Sequence, residues 1–278
     1  MFVGFLTAPF GKENLDAVLK FAGEAGFDAL EVVSSPGSKH IDPAEVDGKS
    51  AGDILEKFKD AGVTISSLAY YCNPVDPDPQ ARKATSEHLK KAIDAAVLLK
   101  VEVVCTLAGF PVDGKSKEET IEEDVAEVFT PLVEYAGKRG IKIALENYFR
   151  TNIQNLEHWE RVFSVVPAPN FGLNFDPSHL LWQGIDYIAA VDRFADRIFH
   201  THAKDCEVKE HRLRVVGVEG GGWWRYVIPG FGKVRWGEYI AALRANGYNG
   251  VLSIEHEDGA LGREEGFLKG LTYLRQFA

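Results

Sequence analysis

Four strand-like segments of this sequence end in a side chain that can bind a metal ion. The segments are IKIALE, FGLNFD, RIFHTH and VLSIE, and the side chains that end them are Glu146, Asp176, His202 and Glu255. Three carboxylates and one imidazole form an oxygen-rich donor set that suits a divalent cation such as Mn²⁺, Mg²⁺ or Co²⁺. Taken singly, Glu146 could be an exposed strand-end carboxylate and Asp176 a turn cap. Together they would repel one another unless a cation held them, so their convergence predicts a metal site.

Alternation within these segments indicates which side chains face the interior of the fold. Successive side chains of a strand point to opposite faces. The residues that share a face with the candidate ligands are small or polar: Ala144, Asn174, His200 and Ser253. The residues of the other face are apolar, and we expect them to point outward: Ile143, Leu145, Leu173, Phe175, Phe199, Leu252 and Ile254. This pattern is typical of a barrel with a filled interior and a polar mouth.

The rest of the chain supplies further strands and helices for such a barrel. Short β-branched or aromatic runs alternate with longer amphipathic runs. The predicted strands are Phe2–Leu6, Ala29–Val33, Thr64–Leu68, Val101–Thr106, Ile141–Glu146, Phe171–Phe175, Ile198–His202 and Gly250–Glu255. The predicted helices include Asn14–Ala22, Ala81–Leu99, Glu118–Lys138, Leu156–Val165, Trp236–Ala245 and Glu264–Gln276. We predict an α/β protein with a single (β/α)8 TIM barrel domain over residues 1–278.

Composition and local motifs exclude several classes of protein. A doubly wound open sheet is the competing topology, but TAPFGKEN after the first strand lacks the glycine pattern that binds a dinucleotide. The formal net charge of −10 argues against nucleic-acid binding. Three scattered cysteines, Cys72, Cys105 and Cys206, predict neither disulfides nor a thiolate zinc site. With no signal peptide and no long apolar run, we expect a cytoplasmic protein that contacts no membrane.

The segment Asp205–Arg235 departs from the regular alternation. It follows the seventh predicted strand and contains three consecutive glycines before Trp223, Trp224 and Arg225. We interpret it as a long loop before the seventh helix of the barrel. Loops on this face carry function, and glycine hinges beside aromatic residues suit a lid, so we expect Trp224 and Arg225 to bind substrate. A packing loop or a contact between subunits is the alternative, and we expect a homo-oligomer.

Several neighbours of the candidate ligands have more than one interpretation. His200 and His202 share a face, and we choose His202 as the ligand because it lies nearer the strand's end, with His200 a layer deeper as a hydrogen-bonded partner. Glu31, near the end of the second strand, could also face the mouth. We expect His179 and Lys204 to bind substrate, with a helix cap or surface histidine and an ordinary ion pair as the alternatives.

Four short motifs resemble those of the xylose isomerase-like TIM barrel superfamily of sugar and sugar-phosphate isomerases and epimerases. They are Leu-Glu-Asn, Phe-Asp-Pro-Ser-His, His-Ala-Lys-Asp and Ser-Ile-Glu-His, and the resemblance covers essentially the whole chain. It implies that the metal ligands are Glu146, Asp176, His202 and Glu255. The ketose 3-epimerases of the superfamily further imply that Glu146 and Glu255 act as acid and base on opposite sides of the sugar, and that His179 contacts it.

Two departures limit what the resemblance implies about the substrate. Where ketose 3-epimerases carry an arginine after the metal histidine and a glutamate after the first metal glutamate, this chain has Val208 and Asn152. We expect Arg212, Arg214 or Arg225 to replace that arginine. The inosose dehydratases of the superfamily make a dehydratase acting on an inosose or a 3-keto-glycoside the nearest alternative. An endonuclease IV-type DNA repair enzyme is a remote one, because histidines are missing after the third and fourth strands.

The sequence therefore predicts a metal-dependent sugar isomerase or epimerase that acts on a ketose, a keto-polyol or a related small carbohydrate. We expect one divalent ion, Mn²⁺ first, with Mg²⁺, Co²⁺ or Zn²⁺ as the alternatives. Chelation of a carbonyl and a hydroxyl would acidify a neighbouring C–H through an enediolate, and the two glutamates would remove and return the proton. Aromatic side chains would cover the sugar, and the candidates are Phe5, Phe110, Trp182, Trp223 and Trp224.

Overall fold

Eight short runs of β-branched and aromatic residues form a closed parallel barrel in the computed structural model, which describes residues 1–278. The strands of the chain are β1 Phe2–Leu6, β2 Ala29–Val33, β3 Thr64–Ala69, β4 Val103–Leu107, β5 Lys142–Glu146, β6 Phe171–Phe175, β7 Ile198–Ala203, β8 Asp205–Val208, β9 Trp224–Val227 and β10 Val251–Ile254. Around the barrel the order is β1, β10, β7, β6, β5, β4, β3, β2, while β8 and β9 pair separately. The predicted TIM barrel is confirmed.

Helices connect the strands and surround the barrel. They are α1 Leu15–Ala25, α2 Gly48–Asp60, α3 Pro79–Leu98, α4 Lys117–Thr120, α5 Ala126–Gly137, α6 Leu156–Val165, α7 Pro177–Leu181, α8 Tyr187–Arg193, α9 Glu210–Val216, α10 Trp236–Ala245 and α11 Arg263–Leu274. Local sequence sets their ends: Asn14 caps α1 by accepting from the backbone N–H of Ala17, and Gly26 ends it in the left-handed conformation at φ 81°. None of the helices combines the length and apolarity needed to cross a membrane.

The main apolar core lies between the strands and the helices. In one aromatic part of it, Phe5 of β1 packs against Phe10, Phe27 and Phe267 with ring centroids 4.6–5.5 Å apart. Burying one such side chain stabilises the fold by roughly 1.5–3 kcal/mol. The expectation that Phe5 lies at the barrel mouth is wrong, because it occupies the outward face of β1 while the next residue, Leu6, faces the interior.

Phe199 departs from the predicted alternation. Leu173 of β6 pairs with Ile198 of β7, and Asn174 pairs with His200, so that Phe199 has no partner residue on β6. This bulge turns the Phe199 ring towards the apolar side chains that fill part of the barrel interior. The expectation that Phe199 points outward is therefore wrong, since one unpaired residue shifts the alternation within the strand.

The inserted segment, Asp205–Arg235, has regular structure of its own. Strands β8 and β9 form a two-stranded antiparallel sheet in which Asp205 lies opposite Val227 and Val208 opposite Trp224. Helix α9 connects them, and none of its residues is buried. The inserted segment therefore reaches into solvent as a hairpin with a helix at its far end.

A buried carboxylate holds the base of the inserted segment. Asp205 is fully buried and accepts five hydrogen bonds, from the backbone N–H groups of Cys206, Gly230, Gly232 and Val234 and from the Trp236 indole. Position 232 requires glycine, because a Cβ there would overlap the Asp205 carboxylate. The return of the chain from the hairpin to α10 thus depends on one acidic side chain.

Candidate metal centre and cavity

The carboxyl ends of four barrel strands bring the four candidate ligands together. Glu146 ends β5, Asp176 directly follows β6, His202 lies in β7 and Glu255 directly follows β10. One donor atom of each lies within 4.8 Å of those of the other three. Only Glu255 is partly exposed. These four residues are referred to below as the ligand cluster.

Local hydrogen bonds hold Asp176 in the ligand cluster. Asn147 accepts a hydrogen bond from the backbone N–H of Asp176 at 2.7 Å and donates to its carbonyl at 2.9 Å. Asp176 Oδ1 caps α7 by accepting from the backbone N–H of Ser178 at 2.8 Å. Asp176 Oδ2 is buried without a hydrogen-bond partner. One oxygen therefore caps the helix, as the alternative interpretation expects, and the other points into the cluster beside the Lys204 ammonium.

The donor atoms of the ligand cluster fit a divalent cation. His202 Nδ1 lies 3.1 Å from Glu255 Oε2 and 3.6 Å from Glu146 Oε1, and this buried nitrogen has no hydrogen-bond partner. Asp176 Oδ2 is likewise buried and accepts no hydrogen bond. Buried polar atoms without partners are rare in folded proteins, and a cation bound among these four side chains would satisfy both.

Lys204 and His179, two of the residues predicted to bind substrate, lie against the ligand cluster. The buried Lys204 Nζ is 2.5 Å from Glu255 Oε2 and 3.2 Å from Asp176 Oδ2. His179 Nε2 is 3.1 Å from Glu146 Oε1 and 3.2 Å from Lys204 Nζ. These contacts link the two glutamates through an imidazole and an ammonium group.

The buried charges shift one another's pKa values. Burial would raise the pKa of Glu146, but a hydrogen bond with His179 and the nearby His202 imidazole hold it well below its usual range. Burial would also raise the pKa of Glu255, which the Lys204 charge lowers to about 2. Burial would lower the pKa values of His202 and Lys204, yet the surrounding carboxylates raise both well above their usual values. Both glutamates are therefore ionised at neutral pH.

A cavity of about 520 Å³ opens beside the ligand cluster. Its wall combines charged, polar and aromatic side chains, and the lining residues are Leu6, Ala8, Tyr71, Leu107, Glu146, Tyr148, Phe149, Arg150, His179, Lys204, Trp224, Tyr226, Glu255 and Glu257. Trp224 stacks on Trp182 with ring centroids 4.4 Å apart and planes at 6°, and Phe149 meets both rings edge-on. Flat apolar rings beside carboxylates and cations suit a ligand that has both C–H faces and hydroxyl groups.

Arg225 does not line this cavity. Side chains alternate along β9, so Trp224 and Tyr226 face the cavity and Arg225 faces away from it. The Arg225 guanidinium pairs instead with Glu207 at 2.5 Å and with the buried Asp258 at 2.6 Å. The structure thus places Arg225 outside this cavity, in the contact between the hairpin and the loop after β10, and its role in substrate binding stays a prediction.

The other expected arginines and aromatic residues are also mostly outside the cavity. Arg212 and Arg214 lie on the exposed helix α9. Of the aromatic candidates only Trp224 lines the cavity, while Trp182 stacks against it. Trp223 is buried and donates its indole N–H to the Val218 carbonyl at 3.2 Å.

A second group of potential ligands lies deeper in the barrel. Glu31, Cys105 and His200 also have donor atoms within 4.8 Å of one another. His200, however, already pairs through Nδ1 with Asn174 Oδ1 at 2.9 Å and through Nε2 with Ser66 Oγ at 3.1 Å. Burial raises the pKa of Cys105 well above its usual value, so its thiol is neutral. We therefore assign this group to a hydrogen-bonded layer rather than to a second metal site, with His200 a layer deeper than His202.

Residues 19–277 match the model of the family described as the xylose isomerase-like TIM barrel. The chain belongs to this family. An inosose dehydratase of Clostridium perfringens (strain 13 / Type A) is 26% identical over 285 residues, covering 96% of this chain and 91% of the relative. A solved structure of an IolI protein with a binding zinc atom has a TM-score of 0.77 at 21% identity, covering 100% of this chain and 99% of the other. A structure of D-psicose 3-epimerase in the presence of D-fructose has a TM-score of 0.72 at 17% identity, covering 100% and 92%.

Several cavity residues of this xylose isomerase-like barrel do not follow from the sequence patterns used above. They are Tyr71, Tyr148, Phe149, Arg150, Tyr226 and Glu257. A period of two would find two of them, because Tyr226 lies two residues after Trp224 within β9 and Glu257 lies two residues after Glu255, past the end of β10. Asn152, one of the departures from the ketose 3-epimerases, donates to the Ala108 carbonyl at 3.0 Å and supports the backbone instead of lining the cavity.

Proposed function

We propose that this protein is a metal-dependent isomerase or epimerase that acts on a ketose, a keto-polyol or a related carbohydrate. The observation that carries the proposal is the position of Glu146 and Glu255, two carboxylates of one centre that both line the cavity. In this proposal the ligand cluster holds one divalent ion, with Mn²⁺ first and Mg²⁺, Co²⁺ or Zn²⁺ as the other candidates.

A cation bound by the ligand cluster would polarise a substrate carbonyl and acidify the neighbouring C–H. One glutamate accepts this proton as a general base, since the lowered pKa values of Glu146 and Glu255 keep both side chains ionised at neutral pH. The other glutamate takes up a proton from solvent and delivers it to the enediolate. Delivery to the opposite face of the same carbon inverts that centre, and delivery to the adjacent carbon moves the carbonyl.

Lys204 and His179 are the groups placed to stabilise the charge that develops on the substrate oxygens. Lys204 Nζ contacts Glu255, His179 Nε2 contacts Glu146, and the two nitrogens lie 3.2 Å apart. Donors fixed in a buried site before the reaction stabilise an oxyanion more strongly than mobile water does. Both residues are therefore proposed to bind the substrate, as the sequence predicts.

The aromatic part of the wall is proposed to bind the carbon skeleton of the substrate. Trp224 offers a ring face to the cavity and is held there by its stack on Trp182. Arg150, which is exposed at the cavity wall, is proposed to bind the substrate in place of Arg225. Its guanidinium can donate hydrogen bonds to hydroxyl groups at the entrance.

Turnover in D₂O tests the proposal. Ketoses, inososes and 3-keto-glycosides would be incubated with the protein and each of the four divalent ions, and products analysed by NMR and mass spectrometry. We expect an isomeric product with deuterium on the carbon beside the carbonyl, no such product with Glu146→Gln, and unchanged labelling with Arg225→Ala as the control. An isomeric product without solvent deuterium would contradict proton exchange at the two glutamates.

A dehydratase is the second candidate, because a relative that matches nearly the whole chain is an inosose dehydratase. The first step is the same removal of a proton beside a carbonyl. The hydroxyl on the next carbon then leaves with a proton as water, and a double bond conjugated to the carbonyl remains. The same incubation separates the two candidates, since a dehydratase yields a product lighter by one water with the ultraviolet absorbance of an enone.

A further inference from the structure

Glu31 of β2 lies beneath the ligand cluster and is fully buried. Three donors converge on its carboxylate: the Tyr71 hydroxyl on Oε1, and His202 Nε2 at 3.0 Å and Ser253 Oγ at 2.7 Å on Oε2. An ionised carboxylate has acceptor sites only, so each of these groups must supply a proton. The ring proton of His202 on this side is therefore on Nε2.

The neighbouring side chains determine which group donates in each of these hydrogen bonds. His200 Nδ1 donates to Asn174 Oδ1 at 2.9 Å, and Asn174 Nδ2 donates to the Tyr71 oxygen at 2.8 Å. Because the Tyr71 oxygen accepts from Asn174, its own proton is directed to Glu31. The Tyr71 oxygen also lies 3.0 Å from His202 Nε2, but unlike the Glu31 carboxylate it has no negative charge to hold a proton on that nitrogen.

Asn174 also competes for the same ring nitrogen. Its Nδ2 lies 3.0 Å from His202 Nε2, as close as the Glu31 carboxylate. Without the negative charge of Glu31, the amide would donate to Nε2, and the ring proton of a neutral His202 would move to Nδ1. Nδ1 is the nitrogen that faces Glu146 and Glu255, and a protonated ring nitrogen cannot bind a metal ion.

We propose that Glu31 is a positioning residue that holds the Nε2 proton of the His202 ring, so that Nδ1 is the nitrogen that gives up its proton and binds the metal ion. A carboxylate behind a ligating imidazole fixes the tautomer and the ring orientation and increases the basicity of the ligand. This inference rests on the proposed function, since it needs a divalent ion in the ligand cluster. In this proposal the metal affinity depends on Glu31 although Glu31 does not contact the ion.

The test is the affinity of chelator-treated protein for Mn²⁺, measured by isothermal titration calorimetry. Glu31→Gln removes the charge and nearly preserves the shape, and we expect it to weaken Mn²⁺ binding roughly 10–100-fold. Asp205→Asn is the matched control, because Asp205 is an equally buried carboxylate that accepts several hydrogen bonds away from the ligand cluster. This control should lose stability and retain the wild-type affinity for Mn²⁺.

A spectroscopic measurement separates the tautomer from a general structural defect. In metal-free Glu31→Gln protein with ¹⁵N-labelled histidine, we expect the neutral His202 ring to carry its proton on Nδ1. Folded Glu31→Gln protein that binds Mn²⁺ as tightly as wild type would overturn the inference and leave the proposed function standing. Wild-type protein that binds no divalent ion would overturn both.

If Glu31→Gln protein does not fold, Ser253→Ala tests the positioning role of Glu31 instead. This milder change removes one of the donors that hold the Glu31 carboxylate against His202. Weaker Mn²⁺ binding in folded Ser253→Ala protein would support the positioning role of Glu31, and wild-type affinity would overturn it.

Discussion

The ligand cluster and the inserted segment are built in different ways. The ligand cluster lies at the ends of parallel strands in a closed sheet, with apolar core outside the barrel and polar partners beneath. The inserted segment is a two-stranded sheet with an exposed helix, anchored at its base by Asp205 and on its flank by Arg225. The first has little freedom to move, whereas the second depends on a few contacts.

This difference separates the parts of the site that would perform chemistry from those that would select the ligand. The strand ends supply the acidic and imidazole groups, and the inserted segment supplies Trp224 and Tyr226 to the cavity wall. A change in the inserted segment can therefore alter what enters the cavity while the ligand cluster keeps its geometry. The same division is general in TIM barrels, where loop variation on a constant strand framework produces different specificities.

The largest effect is expected in the ligand cluster. The double variant Glu146→Gln, His202→Ala should lose bound metal, measured by elemental analysis after dialysis against Mn²⁺. An ion present at about 100 times its Kd stabilises the fold by about 2.7 kcal/mol, and thermal unfolding with and without Mn²⁺ should show that this gain is lost. Glu257→Gln, which changes a cavity carboxylate outside the cluster, is the control and should retain the ion. Full occupancy in the double variant would refute the metal site.

A second prediction concerns the polar layer that supports the ligand cluster. Burial lowers the pKa of His200 from its ordinary value of 6.5 to about 4. Between about pH 6.5 and 4 the unfolded chain therefore binds a proton that the folded chain does not, so stability falls as the pH falls, by about 3 kcal/mol in all. The free energy of unfolding in urea should show this loss in wild type, and His200→Gln should reduce it. Equal pH dependence in both proteins would show that His200 is charged in the fold.

A smaller effect is expected for the ring that the inserted segment contributes to the cavity. Trp224→Ala should raise the KM of the substrate found in the ketone screen about 10-fold, or about 1.4 kcal/mol, because the apolar platform is lost. Metal content should stay at the wild-type value, since the ligand cluster is untouched. An unchanged KM together with a smaller assembly in light scattering would instead make the inserted segment a contact between subunits.

The smallest effect is expected for Arg225. Arg225→Ala should leave KM unchanged and lower the free energy of unfolding by about 1 kcal/mol, a typical value for a half-exposed ion pair. Steady-state kinetics and urea denaturation measure the two quantities in the same protein. A rise in KM as large as that of Trp224→Ala would show that cavity binding depends on how the whole hairpin is held and not on its ring alone.

Much of the barrel could be predicted from the sequence because its signals are local. Strands β1, β2 and β6 and helices α6 and α10 have the predicted bounds, and most other predicted elements shift by one to three residues at their ends. The predicted single helix Glu118–Lys138 is instead α4 and α5, joined by a π-helical turn at Ile121–Val125. Alternation along β5, β6 and β10 placed their polar positions on one face, and parallel strands of one barrel bring such positions to the same mouth. The grouping of the four candidate ligands was therefore within reach of the sequence.

Tertiary structure alone decided the positions that depend on neighbouring chain segments. The bulge that turns Phe199 inward is a mismatch between two strands, so neither strand records it by itself. The side of β9 that faces the cavity depends on how the hairpin is anchored at Asp205. As a result Trp224 lines the cavity and Arg225 does not. The contact between Glu31 and His202 joins residues 171 positions apart in the chain. Sequence periodicity specifies the face of a strand, whereas partners across a barrel are fixed only when the sheet closes.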